Sequence, residues 1–97
     1  MHVISVKKLR EDWLTHPDVE QALKAWNAEA SKSTWRTPDD IKQRYRSAVF
    51  LADNRVVFNI KGNIYRLVVK NHYNTEIVYV RFIGTHAEYD RIDAETI

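Results

Sequence analysis

Residues 56–69 read Val-Val-Phe-Asn-Ile-Lys-Gly-Asn-Ile-Tyr-Arg-Leu-Val-Val, and this stretch decides the fold. Two apolar runs flank Gly62-Asn63, residue types that tolerate the positive φ angles of a tight hairpin turn. With the turn there, Lys61 opposes Ile64, Asn59 opposes Arg66 and Val57 opposes Val68. Because side chains alternate along a strand, Asn59, Lys61 and Arg66 fall on one side of the sheet. Val56, Phe58, Ile60, Tyr65, Leu67 and Val69 fall on the other, which is the expected core face.

A further strand follows at residues 77–83, Ile-Val-Tyr-Val-Arg-Phe-Ile. If Val78, Val80 and Phe82 join the core face, Arg81 projects from the same side as Arg66. A loop of two or four residues around Asn74-Thr75 keeps that parity and puts the arginines on neighbouring strands. Like charges across a sheet are unfavourable, so an anionic ligand is one reason to keep the pair.

Ninety-seven residues are expected to form one domain, 1–97, with a core that needs no disulfide or metal. The chain contains no cysteine, which excludes disulfide frameworks and thiolate chemistry and suits a reducing cytoplasm. No apolar run reaches the length of a membrane span, and the N-terminus lacks a signal-peptide pattern, so no membrane partner is expected. The net charge is only +2, but its distribution is uneven. From Lys42 to Arg81, eight lysines and arginines face only Asp53 and Glu76. Beyond Tyr89, Asp90, Asp93 and Glu95 outnumber Arg91, so a cationic middle precedes an acidic end.

Around the sheet the sequence predicts helices. His2–Val6 reads as a short first strand, and Ser5 or a neighbour can cap a helix over 7–14. Thr15-His-Pro-Asp then carries a start signal, with Thr15 as cap and Pro17 early in the helix. Val19, Ala22, Leu23, Trp26 and Ala30 form a stripe of helical period. Together they make a helical hairpin over 7–32 that packs Trp13 and Trp26 on the sheet, with His16 between the helices at the surface. Thr37-Pro-Asp-Asp opens a short helix to about Tyr45, and Thr85-His-Ala-Glu is a capping-box pattern that starts a final turn. In that turn His86 and Tyr89, three apart, share one side.

Arg66, Arg81, Lys61 and Asn59, bordered by His86 and Tyr89, have the parts needed to act on a phosphodiester. Arginine presents a planar fork to phosphate oxygens and neutralises charge that builds at phosphorus. Histidine moves protons near neutral pH, and tyrosine does so when its surroundings shift it. In RNA the 2′-hydroxyl supplies the nucleophile, so such a site needs no metal and no cofactor. His2, His16, His72 and His86 are dispersed without a paired-ligand motif. Tyr79 and Trp35 are candidate surfaces for unstacked bases of single-stranded RNA.

The segments 56–68 and 78–90, the latter Val-Tyr-Val-Arg-Phe-Ile-Gly-Thr-His-Ala-Glu-Tyr-Asp, resemble the HigB toxins of bacterial type II toxin–antitoxin systems. The resemblance runs over nearly the whole chain. It implies a RelE-like α+β fold, in which an antiparallel β-sheet carries an N-terminal helical hairpin on one face and ends in a short C-terminal helix. It also implies an mRNA interferase that cuts mRNA on the translating 70S ribosome. A HigA-type helix-turn-helix antitoxin would neutralise it, and the complex would bind operator DNA through the antitoxin. On this chain the catalytic positions would be Arg66 and Arg81, with proton transfer at His86 or Tyr89. Lys61 would be an auxiliary phosphate ligand and the sole lysine of the hairpin, where RelE has several. The competing reading is a non-catalytic RNA- or ribosome-binding module that blocks translation by occupancy, using the same basic face.

Overall fold

The hairpin pairs as expected. In the computed structural model, which describes residues 1–97, β3 (Arg55–Ile60) and β4 (Tyr65–His72) place Val57 opposite Val68 and Asn59 opposite Arg66. The turn differs in detail. Its positive φ angles fall on Lys61 (54°) and Gly62 (68°), and the ladder closes at Ile60 and Tyr65. The connection is therefore a four-residue loop whose left-handed step begins at Lys61, and this swings the lysine out of the strand alternation.

The chain runs β1 (His2–Ile4), α1 (Val6–Thr15), a 3-10 turn at Pro17–Val19, α2 (Glu20–Lys32), α3 (Pro38–Arg44) and β2 (Val49–Phe50) before the hairpin. β5 (Ile77–Thr85) and α4 (His86–Tyr89) follow it. The five-stranded sheet has the order β1-β5-β4-β3-β2. Strands β2 to β5 are antiparallel, and β1 adds in parallel beside the first half of β5. The result is the expected α+β architecture with its N-terminal helices on one face. Under them lie Leu9, Val19, Leu23, Trp26 and Ile41 against Val56, Phe58, Leu67, Val69, Val78 and Val80, all buried. Trp13 packs at the margin of this core.

The local signals act unequally. Thr37 and Thr85 each accept from the amide three residues on while Asp40 and Glu88 reach back, so both capping boxes form. Ser5 instead turns the chain with φ of 71° and makes no side-chain cap. The Thr15 hydroxyl donates back to the Glu11 carbonyl and closes α1, so the next turn starts after His16.

Two features depart from the alternation read in the sequence. Val69 pairs with Val80 but Val68 pairs with Phe82, leaving Arg81 as the extra residue of a β-bulge. Beyond it the parity of β5 reverses, so Phe82 leaves the expected core face and Ile83 takes its place. On the opposite face Phe82 joins Val57, Val68 and Ala94 in a second apolar cluster with Leu51, Tyr89, Ile92 and Ile97. The chain after α4 thus lies back over the outer face of the sheet. Arg55, 8% exposed, fastens it by donating from Nε and Nη2 to the Ile97 carbonyl at 2.9 and 2.8 Å. No helix is long and apolar enough to cross a membrane.

Candidate functional site

Arg66 and His86 meet at the hairpin loop. Arg66 Nη1 donates to the Asn63 carbonyl at 3.0 Å and to its neighbour Tyr65 at 3.4 Å, which leaves Nε and Nη2 without protein acceptors. The His86 amide donates to the Ile64 carbonyl at 3.0 Å, docking α4 on the same loop. Its imidazole Nδ1 lies 3.2 Å from Asp90 Oδ2, with both side chains more than half exposed. An imidazole with a carboxylate at one nitrogen and the other free is set to exchange a proton there. Tyr89, one turn along, is half-buried against the second apolar cluster.

The bulge separates the two arginines. Across from Arg66 stands Gly84, and Arg81, exposed, has no ladder partner between Val68 and Val69. At the rise of an extended strand this offsets the arginines by ~8 Å along the sheet. They are therefore not cross-strand neighbours, and their mutual repulsion is weaker than a direct pairing would give.

Other expected contacts resolve differently. Lys61 Nζ pairs with Asp18 Oδ2 at 3.1 Å on the helix side, because the loop begins at that residue. Asp18 also accepts from the Tyr65 hydroxyl at 2.8 Å. The Tyr65 and Lys61 hydrogen bonds hold the Asp18 carboxyl below its ordinary range. Burial, with Asp18 beside it, pushes the Tyr65 phenol up to about 12. Trp35 is 4% exposed, stacked on Phe58 with Tyr45 edge-on, so it is a core residue and offers no face to a base. Tyr79 pairs with Lys70 and meets the His72 ring edge-on at 5.1 Å. Asn59 sits opposite Arg66 as expected, and its side chain makes no hydrogen bond within the protein.

Sequence reasoning passed over His16 as a surface residue. It lies beside Asp12 with Nδ1 3.4 Å from Oδ1. The spacing of four residues at the end of α1 was the available signal.

The chain matches the HigB toxin family, described as the RelE-like toxic component of a toxin-antitoxin system, over residues 19–92. The mRNA interferase toxin HigB of Escherichia coli is 29% identical over 92 residues, covering 93% of this chain and 88% of that protein. The mRNA interferase HigB of Shigella flexneri is also 29% identical over 92 residues, with the same coverage.

Proposed function

This chain belongs to the HigB toxin family, the RelE-like toxic components of toxin–antitoxin systems, and from that premise we propose that it cuts mRNA as a metal-independent endoribonuclease. The single observation that carries the reading is the corner at Asn63 and Ile64. There one carbonyl orients Arg66 and the next anchors the amide of His86. A phosphodiester placed at that corner meets a guanidinium with two free donor nitrogens and an exposed imidazole within one turn of Tyr89.

In this mechanism the 2′-hydroxyl attacks the adjacent phosphorus in line. Arg66 stabilises the charge that builds on the phosphoryl oxygens, and Arg81, farther along β5, holds the RNA strand beside it. His86 and Tyr89 are the candidates for acid and base. Tyr79, with the His72 ring at its edge, is a surface for an unstacked base, and Asn59 a polar contact beside Arg66. The substrate is mRNA on the translating ribosome, as the interferase names of the relatives suggest for mRNA itself. A HigA-type helix-turn-helix antitoxin neutralises the protein in the cytoplasm and carries the complex to operator DNA.

Inducing the protein without an antitoxin and mapping the 5′ ends of cellular mRNA tests the proposal. New internal ends that disappear with Arg66→Ala support it. Arrested translation on intact message would instead make the protein a blocker by occupancy.

A further inference from the structure

β1 accompanies β5 only as far as Tyr79, so the edge of β5 beyond that point is unpaired, and α1 lies beside it. Between them opens a cleft of about 430 Å3 whose walls include Lys8, Asp12, His16, Arg81 and Glu88. The Asp12 side chain is 10% exposed, and its Oδ2 has no hydrogen-bond partner. His16 Nδ1 lies 3.4 Å from the other oxygen, Oδ1, an ion-pair approach without a hydrogen bond, and the imidazole Nε2 makes no hydrogen bond in the protein either. The His16 ring lies edge-on to Tyr65 at 5.6 Å. Tyr65 in turn pairs with Thr85, the residue before His86. His16 thus lies at the strand end that carries the corner, on the Tyr65 side of the sheet, with Arg66 projecting from the other side.

The charges of the cleft are unevenly engaged. Glu88 accepts from the Thr85 amide at 2.8 Å, Glu11 pairs with Lys7 at 3.8 Å, and Asp12 faces His16. Lys8 Nζ makes one long contact, 3.4 Å to the Arg81 carbonyl, and the Arg81 guanidinium takes part in no hydrogen bond or ion pair. Glu88 and Glu11 are engaged, Asp12 keeps a buried oxygen unpartnered, and the cations are open to an anion. A histidine 3.4 Å from a buried carboxylate, beside unpaired cations, is an arrangement that can serve proton transfer next to a phosphate.

We propose that His16, positioned by Asp12, is the proton acceptor in RNA cleavage, with Arg81 and Lys8 holding the strand in the cleft. This rests on the ribonuclease reading. Neutral His16 takes the 2′-hydroxyl proton at Nε2 as the 2′-oxygen bonds to the adjacent phosphorus. The bond from phosphorus to the 5′-oxygen breaks, and that oxygen takes a proton from the His86 imidazolium. The products are a 2′,3′-cyclic phosphate and a 5′-hydroxyl, and Tyr89 is left as a packing residue. The charged and titratable groups around His16 are Asp12 and Lys8 from α1, Asp18 from the following turn, Tyr65 from β4, Arg81 from β5 and Glu88 from α4.

Cleavage of mRNA on translating ribosomes by the purified protein tests this. His16→Ala should lower kcat by about 10²- to 10⁴-fold with KM little changed, abolish the acid limb of the pH–rate profile, and recover in part with added imidazole. Asp12→Asn should lower kcat less. His16→Gln keeps volume against Tyr65, so if the alanine variant loses its fold, the glutamine variant must show the same kinetic loss at an unchanged melting temperature. His16→Ala cutting at the wild-type rate overturns the proposal alone. So does a loss of activity with the acid limb intact and no response to imidazole, which would mark a structural prop. Wild-type protein that cuts no RNA overturns the ribonuclease reading and this inference together.

Discussion

Arg66 stands directly across from Gly84 in the β4–β5 ladder, three residues from Arg81. The glycine makes room on that face. A Cβ there would lie 2.7 Å from Phe82 Cζ and 3.1 Å from Glu88 Oε1, so the ring of one neighbour and the carboxylate of another close over the site of the missing side chain. The bulge at Arg81 is what delivers Phe82 to this position. One irregularity in β5 thus seats the second apolar cluster, frees a guanidinium at the sheet edge and brings α4 beside Arg66.

Gly84→Ala is accordingly expected to destabilise the fold by about 1 kcal/mol, since the Phe82 ring tip can turn aside while the capped Glu88 cannot. Activity should fall by more than stability explains, because α4 carries His86. Urea unfolding and cleavage rates measured on the same preparation check both.

Thr85→Ala removes the α4 cap and should cost about 1 kcal/mol. The pH dependence follows from Glu88. The Thr85 amide, and then its hydroxyl, hold that carboxyl below its ordinary range. The folded state therefore binds this proton less readily than the unfolded one. Its contribution is complete above pH 4.5 and is lost as the pH falls through the lower, folded value. Thr85→Ala keeps that amide, so its cap deficit should persist below this range, whereas the gap in melting temperature between wild type and Glu88→Gln should close there.

Asp12 has the opposite sign. Burial raises its carboxyl above the ordinary value of 3.8, outweighing His16. The folded chain then holds this proton more readily than the unfolded chain, and ionised Asp12 costs stability at neutral pH. Asp12→Asn should stabilise the fold at pH 7 while slowing cleavage, and the gain should vanish as the pH falls below 3.8. Urea midpoints across this range measure it. A variant less stable than wild type at pH 7 would show that the pair with His16 dominates.

Arg55→Ala should cost about 2 kcal/mol, the order expected when charge-assisted hydrogen bonds from a buried guanidinium are lost. It should also speed amide exchange at Ile97, whose amide bonds to the Asp93 carbonyl within the fastened segment. Exchange at Val68, in the middle of the sheet, should change less.

The hairpin register was legible because Gly62 confines the turn and the flanking residues alternate strictly. Both capping boxes were legible for a similar local reason, a threonine with an acid three residues on. The bulge was not. Val-Tyr-Val-Arg-Phe-Ile alternates without a break, and an extra residue in a ladder leaves no mark in composition; it is set by how β5 meets β4. The segment after Tyr89 reads as acidic and polar, yet Ile92, Ala94 and Ile97 reach the outer face once Arg55 fixes the chain end. Trp35 and Lys61 were misplaced because a loop side chain takes its direction from tertiary packing. Asp12 and His16 were visible as a helical pair, but only the folded cleft gives them Arg81 as a neighbour.

The central claim is that this chain cuts RNA at the corner held by Asn63 and Ile64. Single-turnover cleavage of mRNA in a translating reaction, by wild type and by Arg66→Ala, tests it most directly. The account predicts internal cuts by the wild type and a rate lower by about 10²-fold or more for the variant, at unchanged stability. Intact mRNA with wild-type protein, or equal cutting by Arg66→Ala, would contradict it.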